Sequence, residues 1–211
     1  MRVIIIGAGG HAQVIADSLM RAHEQSAPED PIAYLDDNPA LVGQRFLGLP
    51  VLGSVAQLPE FAHDAIVIAI GDNATRMRLF RMLVERGERL VVARHPNAVI
   101  APDVPIGCGT MICAGVVVNP GSAIGANAIL NTGCTVDHHN RIGDHVHIAP
   151  GANLGGEVTI GDGSLIGIGA AVMPGRQVGA WCLIGAGALL RDNVPDGSTA
   201  FGVPARVMRR K

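Results

Sequence analysis

Counting by six from Ile100, every position through Leu190 is aliphatic: Ile100, Ile106, Ile112, Val118, Ile124, Leu130, Val136, Ile142, Ile148, Leu154, Ile160, Ile166, Val172, Val178, Ile184 and Leu190. No α-helix or coiled coil repeats every six residues, so this register excludes helical packing for nearly half the chain. A second column, four residues further on, is small: Thr110, Val116, Ser122, Ala128, Cys134, Val146, Ala152, Val158, Ser164, Ala170, Cys182 and Ala188, broken at Asn140 and Arg176. Gly107, Gly125, Gly143, Gly161 and Gly179 recur at eighteen-residue spacing, so three hexads make one coil. The pattern predicts a triangular prism of short parallel strands, with aliphatic residues inward, small residues at corners and these glycines permitting the turns. About five coils at roughly 4.8 Å each give a rod on the order of 24 Å long.

Residues 1 to 94 have another texture. Val3 to Ile6 reads as a buried strand, Gly7 to Gly10 as a tight turn, and His11 to Ala22 as a helix with Val14, Ile15, Leu19 and Met20 on one face. Ile32 to Leu35 and Ala65 to Ile70 are further strands. Asp72 is a suitable N-cap for a helix through Met77, Leu79, Met82 and Leu83, and Arg89 to Ala93 is a last strand. Strands alternating with helices predict a small, Rossmann-like parallel α/β sheet. The expected division is an α/β domain over 1–94, the β-helix over 95–194 and a C-terminal tail over 195–211.

Composition narrows the function classes. Lys and Arg total 16 against 18 Asp and Glu, so no basic face for nucleic acid is expected. The apolar start ends after Ile6, too short for a signal peptide or a membrane span. Cys108, Cys113, Cys134 and Cys182 form no Cys-x-x-Cys pair, which fits a reducing, cytoplasmic setting.

Five segments taken in order carry a resemblance: Gly7-Ala8-Gly9-Gly10-His11-Ala12, Leu35-Asp36-Asp37, Ala69-Ile70-Gly71-Asp72-Asn73, Asn131-Thr132 and Val136-Asp137-His138-His139. With the hexad register, they resemble the nucleotide-sugar N-acetyltransferases and sialic-acid O-acetyltransferase-like proteins. The resemblance implies left-handed coils, although parallel crossovers are generally right-handed. It also implies a homotrimer binding acetyl-coenzyme A between prisms, and transfer to the 4-amino group of a nucleotide-linked 4-amino-4,6-dideoxy sugar. His138 then takes the place of the general base. Gly156, one coil above it, supplies an N–H to the thioester oxygen. His147, Gly156, Ile168, Ala186 and Arg206 meet the coenzyme, with Arg209 and Arg210 near its phosphates. Gly9, Gly10 and His11 cradle the diphosphate, Asp36, Asp37 and Gly71 surround the base, and Asn131 faces the sugar.

His139 is a departure, because relatives carry Glu or Asp there to strengthen and orient the base. A neutral imidazole orients without supplying a full negative charge. Asp137 or Asp144 is the candidate substitute, although adjacent residues of an extended strand point to opposite faces.

Other functions fit less well. Sialic-acid O-acetylation is the alternative within the class. A zinc hydratase of the γ-carbonic-anhydrase type would use His138, His139, His145 and His147, but the positions thirty-six residues before His138, His145 and His147 are Pro102, Gly109 and Met111, so no metal is expected. A nicotinamide oxidoreductase needs a doubled mononucleotide fold larger than the first 94 residues. A noncatalytic scaffold explains the register but not the glycine turn.

Overall fold

The computed structural model describes residues 1–208. Its N-terminal part contains β1 (Arg2–Ile6), α1 (Gly10–Glu24), β2 (Asp30–Leu35), β3 (Arg45–Phe46), β4 (Leu49–Gly53), β5 (Ala65–Ile68) and α2 (Asn73–Glu85), with sheet order β3-β4-β2-β1-β5. β1 is covered on both faces and is therefore apolar from Val3 to Ile6. Val3 and Ile5 pack with Ile15 and Leu19 of α1, whereas Ile4 and Ile6 pack with Leu83 of α2.

Three details differ from expectation. β3 and β4 form an antiparallel hairpin, because Leu47 and Gly48 take φ values of 51° and 82° and so make the tight turn that suits twisted strands. The buried stripe of α1 is Ala12, Ile15, Ala16 and Leu19, while Val14 lies outward. Arg89 to Ala93 is not a strand of this sheet. Leu90 makes one bridge to Ile66, and Ala93–Arg94 pairs with Met111–Ile112 to open the β-helix.

The β-helix consists of two-residue strands in three parallel sheets, each strand pairing eighteen residues on, as Ile129 with His147 and His147 with Leu165. The faces can be followed through one coil: face one at His147–Ile148, face two at Asn153–Leu154 and face three at Thr159–Ile160. Corner one joins faces one and two, corner two joins faces two and three, and corner three leads back to face one. Face one holds seven parallel strands from Ala93–Arg94 to Thr199–Gly202, more than the coil estimate, and ends with antiparallel Ala205–Met208. The hexad residues from Ile112 to Leu190 are all buried in the prism.

The turns are made by a column that the hexad count does not mark. Every sixth residue from Asp103 to Gly187 has a φ between 54° and 75°, including Asn127, His139, His145, Glu157 and Trp181. Gly107, Gly125, Gly143, Gly161 and Gly179 do not share that φ. A Cβ on any of them would overlap the backbone or an Asp of the next coil, so they serve close approach rather than turning.

The α/β domain rests on face one, where Met111, Cys113 and Ile129 join the core containing Ile15, Leu19 and Tyr34. α2 reaches corner three: Asn73 Nδ2 donates to the carbonyls of Gly163 and Ser164 at 3.0 and 3.2 Å. Among the described residues, no helix is long and apolar enough to cross a membrane.

Candidate active site

Corner two carries His138. The turn at His139, with a φ of 58°, brings two neighbouring imidazoles together, and His138 Nδ1 lies 3.1 Å from His139 Nδ1. The His138 ring leans on Gly156 one coil above, where a Cβ would collide with its Cε1 and Nε2 atoms. Among the described residues, the Gly156 N–H donates no hydrogen bond, although Gly155 and Glu157 beside it donate to Val172 and His138 carbonyls.

Neither acidic candidate orients the His138 ring. Asp137 Oδ1 instead accepts from the His138 backbone N–H at 2.8 Å and from Asn119 Nδ2 at 2.7 Å, and the Asn119 bond holds its carboxyl below the usual range. Asp144 belongs to corner three, where Oδ1 accepts from the Ala126 N–H at 2.7 Å. Asn140, one break in the small column, is fully buried. Its amide donates to the carbonyls of Asp137 and Gly155 and accepts from the Val158 N–H, stitching the turn of His138 to that of Gly156.

Face one carries a second, enclosed group. His11, at the start of α1, tilts over His147 with centroids 6.3 Å apart, and its buried Nε2 has no partner. Asn131 Nδ2 lies 3.2 Å from His147 Nε2. Burial lowers both histidines to about 4, helped by the positive charge of Arg76. Both rings are therefore neutral near pH 7, and His11 offers a ligand an N–H or a lone pair rather than a charge.

Arg76 is wholly buried in α2, and its guanidinium meets the carbonyls of Ile70, Gly71, Asn127 and His145 and the Asn73 side chain at 2.8 to 3.2 Å. Those contacts fasten the Gly71 loop to two coils of corner three. Sequence reasoning missed Arg76 because its partners are mostly backbone oxygens. The available signal was a charge on the helical stripe shared with Leu83.

A cavity of about 590 Å³ runs beside this group along corner one, lined by Gly71, Asn131, His147, Pro150, Ile168, Leu183 and Ala186. It brings together residues expected to meet the sugar and residues expected to meet the coenzyme, with His147 between them. Ile168 is 62% exposed there. His138 and Gly156 do not line it, because they stand at the next corner of the prism. One chain thus holds these two groups apart.

A smaller cavity of about 230 Å³ contains Gly7, Asp36, Asp37, Thr75 and Arg78. The first turn of α1 beside it has no acidic residue, and a Cβ on Gly9 or Gly10 would meet open space, which leaves free amides at a helix N-terminus for an anion. Both Asp36 oxygens are already engaged, by the Ala8 and Asn38 N–H groups at 2.8 Å, and Asp37 Oδ1 accepts from Val55. Thr75 and Arg78 were not read from sequence. Arg206 is exposed on the terminal hairpin, 4.0 Å from Asp192, and Arg209 and Arg210 lie outside the described residues. The four histidines weighed as zinc ligands do not converge: His138 and His139 share corner two, His145 is buried against Phe80 at corner three, and His147 lies on face one.

Comparison with known proteins decides the family. A family model for the PglD N-terminal domain matches residues 2–83, and one for bacterial transferase hexapeptides (six repeats) matches residues 157–192. A histidine-to-alanine variant of GDP-perosamine N-acetyltransferase from Caulobacter crescentus, crystallised with CoA and GDP-perosamine, is 39% identical, with a TM-score of 0.92 over 99% of this chain and 97% of that one. The chain belongs to the hexapeptide-repeat sugar N-acetyltransferases. The acetyltransferase domain of PglB from Neisseria gonorrhoeae is also similar to this acetyltransferase, at 34% identity and a TM-score of 0.91 over 98% of this chain and 99% of that one. WeeI from Acinetobacter baumannii matches at 30% identity and 0.88 over 99% and 100%. A search of curated proteins gave no match.

Proposed function

We propose that this acetyltransferase moves the acetyl group of acetyl-coenzyme A directly to the 4-amino group of a nucleotide-linked 4-amino-4,6-dideoxy sugar. The observation that carries the reading is a histidine ring set against a glycine whose N–H is unbonded, one coil apart. His138 Nε2 removes the proton as the amine attacks the thioester carbonyl. The Gly156 N–H meets the oxyanion, a contact worth about 3 kcal/mol in comparable sites. The C–S bond then breaks, and the thiolate takes a proton.

The solved relatives support both co-substrates: the Caulobacter enzyme was crystallised with CoA and GDP-perosamine, and the Neisseria domain with acetyl coenzyme A. In this chain the corner-one cavity would hold the pantetheine arm along His147, Ile168 and Ala186, with Arg206 at its far end. The α1 N-terminus, with Gly9, Gly10 and His11, would take the diphosphate. Asp36, Asp37 and Gly71 would frame the base, and Asn131 the sugar. A homotrimer would bring His138 of one chain to the cavity of the next and so complete the site. The enzyme would work in the cytoplasm, with neither nucleic acid nor membrane as partner.

The test is thiol release from acetyl-coenzyme A on adding GDP- or UDP-linked 4-amino-4,6-dideoxy sugars, beside His138→Ala and a sedimentation measurement of mass. Sugar-dependent release that collapses in the variant supports the reading. Release unaffected by the substitution removes His138 from the mechanism, and no release with either sugar favours O-acetylation of a sialic acid.

A further inference from the structure

The two imidazoles of corner two share one hydrogen between nitrogens of the same kind, and this restricts their chemistry. With Nδ1 facing Nδ1 at 3.1 Å, one ring donates and the other accepts. If His139 donates, neutral His138 carries its proton on Nε2, the nitrogen against Gly156, and cannot act as a base. If His138 donates, its Nε2 is open and His139 carries its own proton on Nε2.

Both rings are seated by glycines of adjacent coils. His138 lies on Gly156 above, and a Cβ on Gly121 below would come within 2.6 Å of His139 Cδ2. His139 also occupies the left-handed turn column, where most positions are glycine and a side chain costs on the order of 1 kcal/mol. Asp137 holds the His138 backbone N–H. Arg141 donates to the Gly121 and Asn140 carbonyls, and Glu157 sits one coil above His139. The pair is flanked by charges of both signs, and none of these side chains bonds to either ring.

We propose that His139 is the outlet of a two-imidazole proton relay, replacing a fixed carboxylate with a group that passes protons between His138 and water. The inference rests on His138 being the base. As the amine nitrogen bonds to the acetyl carbon, its proton goes to His138 Nε2, the His138 Nδ1 proton crosses to His139 Nδ1, and His139 releases its Nε2 proton to water. Both rings are again neutral, with the hydrogen bond reversed. When the C–S bond breaks, His138 Nε2–H protonates the thiolate, His139 returns the Nδ1 proton, and its Nε2 takes one from water. One proton leaves and one returns for each acetyl group moved from thioester to neutral amine.

Two measurements on the intact protein test this separately from the function itself. With ¹⁵N-labelled histidine, one Nδ1–H and coupling between the two Nδ1 atoms are expected, and two uncoupled rings both protonated on Nε2 would overturn the relay whatever the enzyme acetylates. In thiol-release assays with GDP-perosamine, His139→Gln keeps an acceptor but cannot pass a proton. It should lower kcat about tenfold with KM little changed, turn a bowed dependence on deuterium fraction linear, and regain rate with added imidazole. His139→Glu should recover kcat and move the acid limb of the pH profile upward. A His139→Gln enzyme matching the parent in kcat and isotope dependence refutes the relay. An inactive parent refutes the substrate reading, with the ring measurement still deciding the dyad.

Discussion

His138 and His139 stand at an open corner, their rings seated on glycines of adjacent coils, whereas His11 and His147 are enclosed between the α/β domain and face one of the β-helix. The residue type is the same and the surroundings are opposite. Burial and the Arg76 guanidinium keep the enclosed pair neutral, so it can place a ligand through an N–H or a lone pair but carries no charge near pH 7. The open pair is bonded ring to ring and has access to water. In the proposed mechanism proton transfer belongs to the open corner and ligand placement to the enclosed face, and a neighbouring chain would join them.

Substitutions separate the two pairs. His138→Ala should reduce kcat by on the order of 10³, and His147→Asn should act mainly on KM. If steady-state kinetics find the larger kcat loss at His147, the assignment is reversed. Arg76→Met leaves five oxygens without this donor, those of Asn127 and His145 in buried bonds, and should cost about 4 kcal/mol, read as a lower denaturant midpoint. The open corner should be almost unaffected in stability by comparable changes.

Gly156→Ala puts a methyl group where the His138 ring lies, and about a hundredfold loss of kcat is expected with little change in melting temperature. Acid should destabilise the enclosed pair selectively. Unfolded histidines bind protons below about pH 6.5, while the native His11 and His147 resist until about 4. Stability contributed by their neutral burial is complete above the upper value and lost as pH falls toward the lower one, roughly 1 kcal/mol per histidine near pH 5.5. Denaturant titrations of His147→Asn should show a shallower pH slope. Arg206→Ala, at the exposed rim, should change the KM for acetyl-coenzyme A by about twofold or less.

The β-helix was legible because an inward position is occupied once per hexad and tolerates only aliphatic residues, so the count by six marks the core directly. The turn column was only partly legible: most of its positions are glycine, but Asp103, His139, Glu157 and Trp181 share the same backbone angle, and no shared side-chain chemistry reports it. That gap hid the contact between His138 and His139, which alternation along a strand would have set apart. Asn140 and Arg76 stood out only as irregularities. Both satisfy backbone groups one coil or a domain away, and a sequence does not display the positions of its own carbonyls.

The cavity at corner one draws its lining from successive coils, with Pro150, Ile168 and Ala186 at eighteen-residue intervals. It therefore behaves as a ruler graduated in steps of about 4.8 Å. Gain or loss of a whole coil would lengthen or shorten the scale while leaving each remaining mark in register, whereas any other insertion would misalign the prism above it. The reach available to a bound coenzyme is in that sense counted in coils, and a lineage could retune it by duplication without redesigning a single contact.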